Sequence, residues 1–149
     1  MTRGVYFTAT TLDGFLADEH DSLDWLFVQD HDEDGPMGIA ELMAGVGALV
    51  MGSTTYRWLA DNQEHTGAAW PYEQPTWVFT HQDLAPLGDG ITFVSGPPAD
   101  HHAAIAAAAG DRDVWVVGGG DLAAQWAEAG LLHEVQVSIA PVTLGAGRP

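Results

Sequence analysis

Short apolar runs alternate along the chain with stretches in which apolar residues recur three and four positions apart, and glycine or proline separates most of them. The short runs are typical of strands and the spaced stretches of amphipathic helices. Strands are predicted over residues 5–10, 48–51, 76–80, 91–94, 114–117 and 133–140, with a short extended piece at 15–17. Four helices are predicted: from Pro36 to before Gly45, from Ser53 or Thr54 to near Leu59, from Pro97–Pro98 to Ala109, and from Leu122 to before Gly130. This alternation predicts one α/β domain over residues 1–149, a three-layer sandwich with a mainly parallel central sheet flanked by helices.

The stretch Val114–Ala123 combines a buried strand, three glycines and a helix for which Asp121 is the predicted N-cap. Glycine amides followed by a helix N-terminus can hold a phosphate. Gly118, Gly120 and Ala123 also fit the relaxed fingerprint G-x-G-x-x-G/A. Only 26 residues follow Ala123, and no acidic residue stands about 20 positions on, so a true Rossmann domain is not expected. A tight turn without a ligand is the alternative.

A second strand, residues 48–51, is likewise followed by Gly52 and by Ser53 or Thr54 as the predicted N-cap. A third strand leaves the sheet at Thr80 and His81. Ligands of open parallel sheets bind at the carboxyl ends of the strands. Three such ends predict a site large enough for a dinucleotide.

The charge is strongly one-sided, with 21 acidic and 4 basic residues, a net charge of -17 and no lysine. Nucleic acids and anionic membranes are therefore not expected as partners. A bound phosphate would depend on backbone amides, histidines and the four arginines, Arg3, Arg57, Arg112 and Arg148.

Several classes of site lack their usual residues. The chain has no cysteine, no G-x-S-x-G motif and no ligand spacing among its seven histidines, so neither a serine hydrolase nor a metal site is expected. No apolar run near the N-terminus is typical of a signal peptide or membrane span, and a cytoplasmic location is expected.

Five motifs follow one another across nearly the whole chain: Thr11–Ala17, Val50–Tyr56, Trp77–Thr80, Val116–Gly120 and Gly130–Gly147. In these motifs the chain resembles the dihydrofolate reductase superfamily, and most closely the small stand-alone relatives of the reductase domain in the bifunctional riboflavin-biosynthesis deaminase/reductase. The resemblance implies an NADPH site and a cis peptide between Gly118 and Gly119. It places Gly52, Ser53, Thr54 and Thr55 at the phosphates, Thr80 and His81 at the adenosine end, and Gly118, Gly119, Gly120, Asp121 and Leu122 at the pyrophosphate and nicotinamide side.

Two departures from that family pattern bear on function. Ser53 stands where the family often has an arginine, so a phosphate-binding guanidinium is missing. His81 and Arg57 are the candidates for a 2′-phosphate, and the choice between NADPH and NADH stays open. Relatives usually continue beyond the position of Pro149 with a C-terminal strand or hairpin, which we expect to be absent here.

Hydride transfer to a heterocycle also needs a proton source, for which Asp13, Asp24, Asp30 and Asp32 are candidates. Asp13 lies in Leu-Asp-Gly, which equally predicts a turn. Asp24 and Trp25 resemble the place where relatives bind a planar heterocycle, although Trp25 is also a candidate core residue beside a solvated carboxylate. Asp13, Asp24 and Trp25 are the catalytic candidates.

Two functions are consistent with these features. The first is an oxidoreductase that transfers a hydride from a nicotinamide dinucleotide, NADPH with NADH as the alternative, to a small heterocycle of the pteridine or aminopyrimidine type. The second is a non-catalytic or cofactor-poor member of the family that binds another small ligand or associates with itself. A homodimer is expected because two-fold dimers are the commonest assembly.

Overall fold

The computed structural model describes residues 2–30, 34–35 and 37–149. Within them the chain forms six strands and five helices. In chain order these are β1 Gly4–Thr11, α1 Asp24–Phe27, α2 Ile39–Ala44, β2 Val46–Gly52, α3 Ser53–Thr66, β3 Thr76–Phe79, β4 Ile91–Val94, α4 Pro98–Ala109, β5 Asp113–Gly118, α5 Gly120–Glu128 and β6 Glu134–Ala140.

The strands form one sheet in the order β4-β3-β2-β5-β1-β6. β4 pairs with β3, β3 with β2, β2 with β5, and β5 with β1, all in parallel. Helix α3 leads from β2 to β3, whereas α4 leads from β4 to β5 in the other direction along the sheet. The right-handed rule for parallel crossovers therefore assigns these two helices to opposite faces. The predicted α/β sandwich with a mainly parallel sheet is confirmed.

One face of β2 and β5 packs against α4 and α5. Val50, Val116, Ile105 and Trp126 belong to this buried cluster. Ile105 is the large aliphatic residue of the alanine-rich α4, so close approach of helix and sheet is needed. Gly47 permits it, because a Cβ there would lie 2.4 Å from the carbonyl oxygen of Ala109.

The chain divides into two compact units. Unit 1 comprises Met1–Tyr6 and Gly45–Val135, and unit 2 comprises Phe7–Ala44 and Gln136–Pro149. Most of the buried apolar side chains belong to unit 1, whereas Trp25 and Ala140 are those of the described part of unit 2. The single domain over residues 1–149 stays a prediction.

The helices differ from the prediction at the end of α3 and in an additional helix, α1. Helix α3 does not end near Leu59 but continues to Thr66, because its polar residues lie on an exposed face and Gly67 supplies the left-handed C-cap with φ 70°. Helix α1 was not predicted. Helix α2 begins at Ile39, and the predicted start at Pro36 lies outside the described residues.

The ends of the extended segments also differ from expectation. Residues 15–17 form no strand, although Ala17 makes an isolated antiparallel bridge with Arg148. Residues 141–149 form no further strand.

Candidate functional site

The two glycine turns lie side by side at the carboxyl edge of the sheet. β2 and β5 are neighbours, and Met51 pairs with Gly118. A Cβ on Gly52 would lie 3.8 Å from the Gly118 carbonyl oxygen and 3.9 Å from the Gly119 nitrogen. The peptide between Gly118 and Gly119 is cis, as the resemblance implied. The two strand-to-helix turns therefore form one continuous backbone surface.

Gly118 is also required by its surroundings. Its φ is +152°, and a Cβ there would approach the Thr55 hydroxyl oxygen to 3.3 Å. Gly119 differs, since a Cβ there would meet nothing within 4 Å. The space beside Gly119 is therefore open, and backbone atoms rather than side chains line it.

Both helices at these turns begin without a side-chain cap. The N-cap residues are Gly52 for α3 and Gly119 for α5, each in an extended conformation. Ala123 donates its amide to the Gly119 carbonyl oxygen at 3.1 Å, so the amides of residues 120–122 precede the first intrahelical bond. Uncapped amides at a helix N-terminus favour an anion.

The predicted N-caps Ser53, Thr54 and Asp121 were wrong, because glycine occupies the cap position in both turns and moves each of them into the helix. The Ser53 hydroxyl instead donates to the Thr80 hydroxyl at 2.8 Å. The Asp121 carboxylate accepts a hydrogen bond from the Gln125 amide at 2.8 Å.

The end of β3 joins the same edge through Ser53. Thr80 is buried, and its hydroxyl also accepts the Gln82 amide at 3.0 Å. His81, next in the chain, is exposed. The structure thus brings together the ends of β2, β3 and β5, as the sequence predicted from parallel strands.

Tyr56 supports this edge, although the motif Val50–Tyr56 predicted no role for it. Its buried hydroxyl donates to the Ala85 carbonyl oxygen at 2.5 Å and accepts the Leu87 amide at 2.9 Å. Burial raises the pKa of Tyr56, which keeps the phenol neutral as a donor. The ring meets Phe93 of β4 edge-on, with centroids 5.4 Å apart. The sequence feature that could have indicated this role is the position of Tyr56, one helical turn after the glycine cap, from which its ring faces the sheet.

The predicted catalytic residues all belong to unit 2 and are described within it. Asp13 anchors a turn: its carboxylate accepts bonds from the Thr11 hydroxyl at 2.6 Å and from the amides of Gly145 at 2.8 Å and Leu144 at 3.2 Å. The Thr11 hydroxyl, followed by the Gly145 amide, lowers the pKa of Asp13. Its observed contacts are structural, and its catalytic role stays a prediction.

Asp24 and Trp25 open the short helix α1. Asp24 is exposed, while Trp25 is buried and its indole nitrogen has no hydrogen-bond partner in the described part of the chain. Asp30 is exposed; Asp32 and His31 lie outside the described residues. A buried indole N–H without an acceptor is a donor that a ligand could satisfy.

No group of three histidine, aspartate or glutamate side chains converges as metal ligands within residues 2–30, 34–35 and 37–149. Over these ranges no helix has both the length and the apolar character to cross a bilayer.

Comparison with known families gives a consistent result. The model of the RibD C-terminal domain matches residues 71–149. The uncharacterised protein YwjB of Bacillus subtilis (strain 168) is 26% identical over 148 residues, which are 99% of this chain and 81% of YwjB. YyaP of the same strain, also uncharacterised, is 22% identical over 153 residues, covering 95% of this chain and 76% of YyaP.

Two solved structures share the fold. A protein of Shewanella sp. PV-4, assigned provisionally to riboflavin biosynthesis, has a TM-score of 0.83 at 29% identity, covering 99% of this chain and 82% of its own. The diaminohydroxyphosphoribosylaminopyrimidine deaminase/5-amino-6-(5-phosphoribosylamino)uracil reductase of Thermotoga maritima has a TM-score of 0.64 at 17% identity. That match covers 99% of this chain and 47% of the bifunctional protein, and it bears on the fold alone.

Proposed function

Because this chain belongs to the family of the RibD C-terminal domain, we propose that it is a reductase that transfers a hydride from NADPH to a small planar heterocycle of the pteridine or aminopyrimidine type. The family is that of a reductase-type domain. The observation that carries the proposal is the pair of adjoining glycine turns, each followed by a helix with uncapped amides.

The residues present fit a dinucleotide. The amides of Gly120, Asp121 and Leu122 at α5, and those of the first turn of α3, are donors for the phosphates. Open space at Gly119 leaves room for a ligand against the backbone. These donors carry no formal charge, so they suit a chain that has 21 carboxylates and only 4 basic residues.

Bound nicotinamide would supply the hydride, and the protein's contribution is binding, orientation and exclusion of water. The Thr55 hydroxyl of α3 supports this role by closing the space beside Gly118, since a Cβ there would lie 3.3 Å from it. Tyr56 supports it by fastening residues 85 and 87 to the same helix.

On the substrate side, Trp25 and Asp24 are the better candidates. The Trp25 indole N–H could donate to a ring nitrogen or carbonyl of a heterocycle. Asp13 is a poor proton donor near neutral pH, because its hydrogen bonds lower its pKa below the ordinary value of 3.8. The Thermotoga maritima neighbour is named as a reductase of an aminouracil, which is a planar heterocycle of the proposed class.

A second candidate function is a cofactor-poor protein that mainly associates with itself. It is favoured by Ser53 in place of an arginine and by an apolar stripe on the outermost strand β6, where Val135, Val137 and Ile139 are 54%, 43% and 63% exposed. A homodimer is compatible with either function and stays a prediction, which light scattering tests. A cytoplasmic location likewise stays a prediction.

The test removes one backbone donor without removing the helix. Gly120 is the first residue of α5 and follows an extended Gly119, a position at which proline is favoured. Gly120→Pro deletes the amide N–H, whereas the control Gly120→Ala keeps it. We expect Gly120→Pro to weaken NADPH binding about tenfold or more, the effect of losing one hydrogen bond to a charged group.

Calorimetry and tryptophan fluorescence measure this binding, and circular dichroism checks that the helices persist. Turnover of a pterin or aminopyrimidine with NADPH would support the reductase over the cofactor-poor alternative. The proposal fails if neither NADPH nor NADH binds the unmodified protein at about millimolar concentration, a standard free energy of only about -4 kcal/mol.

A further inference from the structure

We propose that Arg57 is the residue that recognises the 2′-phosphate on the adenosine ribose, and thereby sets a preference for NADPH over NADH. This inference rests on the proposed function and identifies a specificity residue within it. Arg57 would replace, from one helical turn further along α3, the guanidinium that is missing at Ser53.

The distribution of cations leaves few alternatives. Arg3 forms ion pairs with Asp113 at 3.1 Å and Glu134 at 2.9 Å, at the amino ends of β5 and β6. Arg148, in unit 2, pairs with Asp21 at 2.7 Å. Neither is available to a phosphate at the carboxyl edge of β2 and β3.

The other two arginines differ in position rather than in charge. Both Arg57 and Arg112 are exposed and have no ion pair with a described residue. Arg112 immediately precedes β5 and so lies at the amino edge of the parallel sheet. Arg57 lies in the second turn of α3, which begins at the carboxyl edge. Arg57 is therefore the one unpaired arginine of the described chain on the side of the proposed site.

The geometry of α3 directs Arg57 toward the end of β3. Arg57 follows Ser53 by four residues, so the two side chains share one face of the helix. The bond between the Ser53 and Thr80 hydroxyls turns that face toward the strand end that leads into His81. Helical side chains lean toward the helix N-terminus, which brings the guanidinium toward this end. His81, also exposed, is the second group that could meet the phosphate.

A single arginine is sufficient, for electrostatic reasons, to distinguish NADPH from NADH. The chain carries a net charge of -17, so an additional phosphate on the ligand is repelled unless a cation meets it. A guanidinium binds phosphate through two parallel hydrogen bonds, which the 2′-hydroxyl of NADH cannot reproduce. The effect should fall with ionic strength because Arg57 is exposed.

The experiment compares Arg57→Ala with the control Arg112→Ala, which makes the same charge change at the opposite edge of the sheet. Calorimetry measures dissociation constants for NADPH, NADH, 2′,5′-ADP and 5′-AMP at low and high salt. We expect Arg57→Ala to weaken the binding of NADPH and 2′,5′-ADP about fivefold at low salt and to leave the binding of NADH and 5′-AMP unchanged. Arg57→Lys should restore part of the loss, and Arg112→Ala should change none of the four.

The possible failures are distinguishable. If Arg57→Ala weakens NADPH and NADH equally, or no more than Arg112→Ala does, Arg57 does not read the 2′-phosphate. Equal binding of NADPH and NADH by the unmodified protein also overturns the inference but leaves the reductase proposal intact. If none of the nucleotides binds, the proposed function fails together with it.

Discussion

Units 1 and 2 differ in how their apolar side chains are used. Unit 1 buries its large side chains between helices and a register-defined parallel sheet, with Ile105 and Trp126 fully buried. Unit 2 leaves Leu12, Phe27 and Val28 exposed by 66%, 57% and 78%. Regions with few buried apolar contacts open at lower free energy than packed cores. The two glycine turns belong to the better-packed unit 1, whereas Asp13, Asp24 and Trp25 belong to unit 2.

The largest expected effect is a loss of core packing in unit 1. Ile105→Ala should lower the free energy of unfolding by about 2–5 kcal/mol, because it removes buried methylenes and leaves a cavity beneath α4. Urea denaturation measures the change. Ala107→Gln, on the exposed side of α4, is the control and should change stability by about 0.5 kcal/mol or less. A loss below about 1 kcal/mol for Ile105→Ala would contradict the contrast between the units.

Trp25→Phe should have a smaller effect on stability and a selective effect on function. It removes part of the ring but also an unsatisfied buried N–H, whose burial costs about 1–3 kcal/mol, so unfolding should change by about 1 kcal/mol or less. If the indole N–H binds the heterocycle, KM for that substrate should rise about fivefold while the NADPH dissociation constant stays the same.

Trp126→Phe is the matched control, because Trp126 lies in the core of unit 1 and its buried indole N–H also lacks a partner among the described residues. It should destabilise more than Trp25→Phe, since its surroundings are tightly packed, and should leave KM unchanged. An equal rise in KM for both variants would show a general loss of structure and would remove Trp25 from the substrate site.

The smallest effect concerns Asp13 and depends on pH. Hydrogen bonds lower its folded-state pKa below the ordinary value of 3.8, so the ionised carboxylate stabilises the fold above that pH and loses its contribution as pH falls through the lowered pKa. Asp13→Asn should therefore lower Tm at pH 5–7, and the difference from the unmodified protein should shrink below about pH 4. Differential scanning fluorimetry from pH 3 to 7 measures it.

Asp24→Asn provides the comparison within unit 2, since Asp24 is exposed and its carboxylate makes no hydrogen bond or ion pair with a described residue. It should leave Tm nearly unchanged. A difference for Asp13→Asn that is constant down to pH 3 would mean that the carboxylate charge is not what holds the turn.

Local sequence signals were enough for the strands and the two glycine turns. The β-branched run at 114–117 followed by glycines predicted β5 and its turn within a residue or two. The same signals misplaced the helix caps, because serine, threonine and aspartate are the usual cap residues while Gly52 and Gly119 occupy that position here. The predicted end of α3 near Leu59 is too early because the residues that follow are polar, although they continue the helix to Thr66.

The arrangement of the site needed long-range pairing that no local pattern contains. That Gly52 approaches Gly118 follows from the pairing of β2 with β5, and that Ser53 meets Thr80 follows from the pairing of β2 with β3. The bonds of Tyr56 to residues 85 and 87 depend on a loop with no periodic pattern. Helix α1 spans four residues, too few for a helical period to be recognised.

The uncapped amides of α3 and α5 have a consequence for how this protein can change over time. Every residue except proline carries a backbone N–H, so replacing Thr54 or Asp121 alters the side chain and leaves the donor in place. Side chains at these positions can therefore differ between relatives as distant as YwjB, at 26% identity, while the backbone N–H donors are kept. Conservation of residue types does not reveal such donors, which are identified from the backbone structure.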